Sequence, residues 1–412
     1  MTGIAVEEAA AVARWRAETP GCEGRVHLNN AGAALAPGGV LEEVRGHLAR
    51  EAEIGAYEAA DEAAERVDGV YAAVAELIGA AARNVAVVEN ATAGMALALS
   101  TFDLRPGDRI VTSRSDYPSN QVMYWSLGRR FGVETVIAAE RPEGGVDPES
   151  VRQLARDPRC RLVALSWVPT NSGLVQAAAE VGEVCAAAGV PFLVDACQCV
   201  GQMAIDVGRL RCDFLSASAR KFLRGPRGIG FLYVSDAALE RDAHPLFLDM
   251  RGATWTGPAA FRLSPGARRF ENWEFSYALV LGMGAAARYA AAVGAAGPAR
   301  AWRLAAELRA RLEAMPWARV LDRGAQRCAI VSAEIRGWDA DALKLRLRER
   351  GINTSAASRE HGLLDMDAKH AATILRVSPH YYNTERELDT LFEALAELAA
   401  APPADRPAPA PG

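Results

Sequence analysis

Residues 192–234 read FLVDACQCVGQMAIDVGRLRCDFLSASARKFLRGPRGIGFLYV, and three apolar runs divide them. The first, 192–195, ends in a carboxylate; the second, 214–217, runs into the small-residue turn Ser218-Ala219-Arg220; the third, 229–234, follows a glycine-rich loop that begins just after Lys221. Upstream, from residue 85, a similar unit recurs: a short β-branched or apolar run, a turn, then an alanine-rich helical stretch. Strands are expected at 85–88, 109–112, 134–138 and 162–166, with helices near 93–101, 120–131, 147–156 and 177–188. This alternation predicts an α/β fold whose mostly parallel, seven-stranded sheet is covered by helices.

Past residue 270 the texture changes to long alanine- and arginine-rich helices over 277–315, an apolar run at 329–335, a helix at 339–350, a strand at 373–377 and a last helix at 384–400. That pattern predicts a smaller α+β domain. The expected division is an N-terminal helical segment over 1–26 packing with the smaller domain, a large domain over 27–270, the small domain over 271–400, and a disordered proline-rich tail over 401–412. LGMGAAA at 281–287 fits a dinucleotide fingerprint, but it lies in a helical run with no acidic residue at the expected distance and reads as close helix packing.

The 412 residues are half hydrophobic and 24% charged, with a net charge of -5, which fits a soluble globular chain and excludes fibrous and disordered classes. A mild acidic balance without an arginine-rich stripe gives no footprint for nucleic acid. No apolar run approaches the roughly 20 residues of a membrane span, and the acidic amphipathic start lacks a basic leader, so a cytoplasmic protein is expected. Seven scattered cysteines imply no disulfide framework, and six histidines show no ligand spacing, so no metal site is expected.

The 46 basic residues include only three lysines, Lys221, Lys344 and Lys369. Arginine cannot lose its proton, whereas a lysine amine can and then condenses with aldehydes. Lys344, in the helical run DALKLRLRER, and Lys369, in the polar stretch DMDAKHAA, read as solvated; Lys221 reads either as a surface charge or as such an amine. Asp195 stands at a strand's carboxyl end, where ligands gather in open α/β sheets, although it could simply cap the next turn. In Val87-Val-Glu-Asn-Ala91-Thr92-Ala93-Gly94, free amides at a helix start can cradle a phosphate, or Asn90 or Thr92 is an ordinary cap. Asp116-Tyr117-Pro-Ser-Asn120 offers an aromatic face at the same sheet edge, or a plain turn. Arg376 lies inside an apolar strand, suited to a carboxylate ligand or to an internal salt bridge.

Together these residues resemble the site of a fold-type I pyridoxal 5'-phosphate (PLP) enzyme of the class V aminotransferase group, which includes cysteine desulfurases, isopenicillin N epimerase and hercynylcysteine S-oxide lyases. The resemblance runs from His27-Leu-Asn-Asn30 to the Arg376 segment. It implies that Lys221 binds PLP covalently, Asp195 pairs with the ring nitrogen, Gln198 approaches the ring hydroxyl, and Tyr117 stacks on the ring. It also places Thr92, Ala93, Ser218 and Arg220 at the phosphate, Thr170 where the group commonly has an asparagine, and Arg376 on the substrate carboxylate, with Asn30 and Tyr57 beside the substrate. A homodimer with the active site at the interface follows, with Trp273 and Glu274 either entering the partner's site or forming a hinge.

The departures favour the carbon–sulfur lyase branch. Desulfurases need a nucleophilic cysteine shortly before the carboxylate arginine, and here GINTSAASR at 351–359 fills that place, with no cysteine after Cys328. The usual glycine-threonine turn is replaced by RFENWE at 269–274. The expected activity is a PLP-dependent β-lyase on an S-substituted cysteine or its sulfoxide, with transamination, epimerisation or decarboxylation as alternatives.

Overall fold

A short strand, β1 (Val26–His27), precedes the seven that build the main sheet: β2 (Val85–Val88), β3 (Arg109–Thr112), β4 (Glu134–Ile137), β5 (Cys160–Ser166), β6 (Phe192–Asp195), β7 (Phe214–Ser218) and β8 (Gly230–Val234). In the computed structural model, which describes residues 3–400, they lie in the order β2-β8-β7-β6-β5-β3-β4. The expected tail at 401–412 lies outside the described residues. Every pairing is parallel except those of β8, which runs antiparallel to both β2 and β7. Strands β2, β6, β7 and β8 are buried along their whole length, which is why they read as unbroken apolar runs rather than alternating ones.

The parallel order places the ends of β3, β5, β6 and β7 along one edge, the edge at which such sheets hold ligands. Helix Ala91–Leu99 starts two residues before its expected position because Asn90 caps it, its side chain accepting from the Ala93 N–H. The helical stretch expected over 277–315 is two helices, Tyr277–Val293 and Ala296–Glu313, meeting at 81° where Gly294 takes a φ of 63°.

Helix Tyr277–Val293 packs against Gly38–Ile54 and Ala64–Ile78. A Cβ on Gly282 would lie 2.6 Å from Val44, and one on Gly284 2.6 Å from Val70, so the LGMG run does serve close helix packing. Among the described residues no single helix is long and apolar enough to cross a membrane.

The hairpin β9 (Ala253–Gly257) and β10 (Ala260–Leu263) was not legible in advance. A second, antiparallel sheet has the order β11-β12-β15-β14, from β11 (Ala318–Val320), β12 (Val331–Ile335), β14 (Ser355–Ser358) and β15 (Thr373–Val377). Strand β13 (Ile352–Asn353) pairs with β1 instead. The Ser-Ala-Ala-Ser run of β14 has little intrinsic strand preference; register with β15 holds it extended. Helix Gly3–Ala17 sets Trp15 edge-on against Tyr381, ring centroids 4.9 Å apart, and Arg16 bonds Glu387.

Candidate active site

Asp195 ends β6 and is buried. Its Oδ1 accepts from the Cys197 N–H at 2.9 Å, the turn-capping bond a lone aspartate would make. Its Oδ2 accepts from Asn120 Nδ2 at 3.1 Å, a contact between β6 and helix Pro118–Phe131 that no local cap requires. Behind it lies Asp116, also buried, accepting from the Tyr117 N–H at 2.7 Å, the Ser166 N–H at 3.1 Å, Thr112 Oγ1 at 2.6 Å and the Tyr124 hydroxyl at 3.1 Å. Burial pushes the Asp116 carboxyl up, and the hydroxyls of Ser166 and Thr112 pull against it. Asn120 Nδ2 reaches both carboxylates, being 3.3 Å from Asp116 Oδ1, so one amide ties Asp195 to the aspartate that fixes the Tyr117 backbone. In the sequence Asn120 reads as a turn residue beside Asp116, and Ser166 only as the end of a strand. The available signal was the four-residue spacing of Asn120 and Tyr124 on one face of helix Pro118–Phe131, continued just ahead of its start by Asp116.

Lys221 follows β7 in the Ala219–Lys221 turn, 7% exposed, with Nζ 5.8 Å from the centroid of the Tyr117 ring. Among the described residues no carboxylate pairs with it. Lys344 and Lys369 contrast: the first bonds Asp341, and the second, expected to be solvated, is buried and pairs with Asp365 at 2.6 Å. Two lysines are thus neutralised as ion pairs and one amine is left facing an aromatic ring.

Near the start of helix Ala91–Leu99 the Ala91 N–H donates to Ser218 Oγ at 3.0 Å and the Ala93 N–H to Asn90 Oδ1 at 3.0 Å. Ala93 is therefore committed to its cap, and among the described residues Thr92 keeps the first-turn amide without a protein acceptor. Arg220 donates to the Gly32 carbonyl, and burial with Arg227 nearby holds its pKa down.

Arg376, in β15, donates from Nη1 to the Thr170 carbonyl at 2.9 Å and to Thr170 Oγ1 at 3.2 Å, and from Nη2 to Asn29 Oδ1 at 3.2 Å. Its Nε is buried without a partner, and no carboxylate answers its charge among the described residues. Burial, then the neighbouring Arg220, push its pKa down to about 10. The salt-bridge alternative for Arg376 fails. Gln198 donates from Nε2 to the Ala31 carbonyl at 3.0 Å, while its Oε1 is buried with no donor.

Three expectations do not converge here. Asn30 is fully buried and spent on the Ser378 carbonyl at 2.7 Å and on the Tyr382 hydroxyl, so Asn29, not Asn30, faces Arg376. Tyr57 is 76% exposed on helix Ala56–Glu62 and Glu274 is exposed, and among the described residues neither bonds to a member of the cluster. RFENWE divides in two. Glu271 Oε1 accepts from the Val87 N–H at 2.8 Å and Asn272 bonds Glu89 at 3.1 Å, pinning the motif to β2, whereas Trp273 and Glu274 stand outside. A cavity of about 1000 Å³, lined by Cys160, Val190 and Cys212 among others, lies at the starting ends of the strands, away from these groups.

An unpaired amine, a held carboxylate, an unfilled acceptor at Gln198, an open helix-start amide and two under-neutralised guanidiniums suit a ligand with an aldehyde, a ring nitrogen, a hydroxyl and anionic groups. PLP has these features, and the residues present fit it.

Residues 26–391 match the class V aminotransferase family, and the chain belongs to that family, a family of PLP-dependent enzymes. It is 30% identical to the probable hercynylcysteine sulfoxide lyase of Mycobacterium tuberculosis (strain CDC 1551 / Oshkosh) over 95% of both chains. It is 28% identical to the isopenicillin N epimerase of Streptomyces clavuligerus, over 79% of this chain and 82% of that one. In fold it is similar to the cysteine desulfurase CsdA from Escherichia coli, with a TM-score of 0.85, 23% identity, and coverage of 94% of this chain and 98% of the other.

Proposed function

We propose that this chain is a PLP-dependent carbon–sulfur β-lyase that converts an S-substituted cysteine, or its sulfoxide, into a thiol or sulfenate, pyruvate and ammonia. The observation that carries the reading is the segment beside Arg376. Ser355 of β14 stands in register with Arg376 of β15, and β13 and β14 supply amides and hydroxyls where a desulfurase needs a thiol. Cys328, the last cysteine, is fully buried, and burial pushes its thiol up to about 12. A thiol so held is a poor sulfur acceptor. The name of the mycobacterial relative points the same way.

Bound PLP supplies an aldehyde for the substrate amine and a ring that draws electrons from Cα. Lys221 holds the cofactor between turnovers, and its amine, once free, takes the Cα proton. Asp195, gripped by Asn120 and the Cys197 N–H, keeps a proton on the ring nitrogen. Tyr117 covers a ring face, and Gln198 Oε1 receives the ring hydroxyl. Thr92, Ser218 and Arg220 hold the phosphate, Ala93 having its cap to serve. Arg376, with Thr170 and Asn29, orients the substrate carboxylate. The electron pair left by the Cα proton expels sulfur from Cβ, and water completes the release of pyruvate and ammonia.

Purified protein incubated with S-substituted cysteines is expected to release pyruvate. No pyruvate, with conversion of the cofactor to its amine form, would instead establish transamination. Lys221→Ala is expected to abolish the borohydride-sensitive absorbance band and lower turnover by at least about 10³-fold; an unchanged band would refute the lysine's role.

We propose also that two copies assemble, seating the exposed Tyr57, Trp273 and Glu274 at the partner's site, and that the enzyme works in the cytoplasm. The division between the PLP-binding unit and the smaller one is proposed to fall at Gly294 rather than near 271, because helix Tyr277–Val293 packs with the helices of the large sheet. Light scattering tests the dimer: a monomeric mass in solution would exclude it.

A further inference from the structure

Residues 25–29 pass through β1 with alternating faces: Val26 and Leu28 join the core, while Arg25, His27 and Asn29 line a cleft of about 470 Å³ together with Arg348, Asn353 and Thr354. The floor is uncharged. Asn353 Nδ2 donates to His27 Nδ1 at 3.1 Å, and His27 Nε2 donates to the Ala33 carbonyl at 2.9 Å, the pattern of a neutral imidazole. Burial holds the His27 pKa down in the same sense.

The rim is cationic. Arg25 and Arg348 are exposed, form no ion pair among the described residues, and no carboxylate lines the cleft. In a chain of net charge -5, two unanswered guanidiniums across one cleft are a local reversal of sign. Thr354, which lines the cleft, is 4% exposed, and its Oγ1 is buried with no partner, an unsatisfied hydrogen-bonding group in the cleft wall.

The cleft adjoins the candidate active site through a single side chain. Asn29 lines it and also accepts from Arg376 Nη2 at 3.2 Å. Asn29 is thus a side chain common to the cleft and to the place where Arg376 would hold an α-carboxylate.

We propose that the cleft is a distal substrate subsite that selects S-substituted cysteines whose sulfur substituent ends in a carboxylate, with Arg25 and Arg348 binding that carboxylate and Thr354 and Asn353 contacting the chain leading to it. This rests on the lyase reading and narrows its substrate class. Arginine forks suit a carboxylate bidentately, and rim placement makes the selection salt-sensitive.

The test compares S-(3-carboxypropyl)-L-cysteine with S-butyl-L-cysteine, ligands of similar length that differ in the terminal charge. Two readouts are taken on the holoenzyme: ligand-induced change in cofactor absorbance, which reports binding whatever the reaction, and pyruvate release. The expected preference for the carboxylate is about tenfold in dissociation constant, falling with added salt, as one charge-assisted contact implies. In Arg25→Gln/Arg348→Gln the ratio is expected to approach one, and in Arg25→Lys/Arg348→Lys to recover in part. Because the ratio is read, a general loss of folded enzyme cancels. Equal binding of the two ligands by the unaltered protein, or a preference that survives the double glutamine variant, would overturn the proposal. Selective binding without pyruvate would overturn the lyase reading and leave the subsite standing.

Discussion

Arg309, on a helix beside the smaller sheet, and Arg376, within it, are both buried arginines, and each is bonded to the same loop or to its anchor, yet they are satisfied differently. Arg309 donates to Asp322 Oδ2 at 2.9 Å, to the Cys328 carbonyl at 3.0 Å and to the Ile330 carbonyl at 2.8 Å. Asp322 in turn accepts from the Gly173 N–H at 3.1 Å and Ser332 Oγ at 2.6 Å. Arg376 grips the other end of that loop at Thr170 but meets only carbonyl and hydroxyl oxygens, with Nε idle. A buried cation is tolerable when its counter-ion and hydrogen bonds are built in, and one left short is waiting for a ligand to bring them. The lysines divide the same way, Lys369 paired and Lys221 not.

The contrast breaks first at Arg309. Arg309→Met leaves Asp322 buried beside uncapped carbonyls and is expected to cost about 3–5 kcal/mol in denaturant unfolding. Arg376→Met strands no carboxylate, so the same measurement is expected to change by less than about 1 kcal/mol, while substrate affinity falls about 10²-fold by spectral titration. Comparable stability losses at both positions would erase the distinction between a structural and a functional arginine.

Gly173 sharpens it from the loop side. A Cβ there would lie 2.3 Å from the Ile330 carbonyl and 2.7 Å from Arg309 Nη2, both unable to yield without breaking the Arg309 network. Gly173→Ala is expected to cost about 1–3 kcal/mol and to raise KM more than it lowers kcat, since Thr170 moves with the loop. A normal KM would detach Thr170 from the substrate carboxylate.

The central strands of the main sheet were legible because both their faces are buried, so apolar runs bounded by turn residues marked them nearly residue for residue; β4, half-exposed at the edge, was legible from its β-branched residues instead. Lys221, Asp195 and Arg376 were legible as chemical anomalies: a rare amine, a carboxylate at a strand end, a charge inside a strand. What escaped was held by pairing rather than by composition. Strand β14 is serine and alanine, and Asn120, Ser166 and Asp116 acquire their meaning only once β5, β6 and helix Pro118–Phe131 are side by side. Asn29 and Asn30 are adjacent and chemically identical, and only the bridge of Asn29 to Ser378, just past β15, decides that the first faces Arg376 and the second is consumed by Ser378 and Tyr382.

The smallest effect concerns a group that joins the two sides of the site. His380 lies beyond β15, fully buried, with Nε2 donating to the Phe222 carbonyl at 3.0 Å next to Lys221, and Nδ1 accepting from the Tyr381 N–H at 2.9 Å. Protonating Nδ1 would set two N–H groups against each other, and burial with Arg224 nearby holds the His380 pKa well below 6.5. The unfolded chain therefore binds more protons than the folded one between that depressed value and 6.5, so stability rises with pH across this window and is fully present above it. Each such histidine, His27 being the second, contributes a slope of up to about 1.4 kcal/mol per pH unit. The melting temperature is expected to hold steady from pH 8 to 7 and to fall between pH 6.5 and 5. In His380→Gln, whose amide can still donate to Phe222, that acid-side fall is expected to be roughly halved even if the plateau is lower. An unchanged slope would mean that His380 is protonated in the fold, and that the link from β15 to the Lys221 turn is a charge rather than a neutral hydrogen-bonded pin.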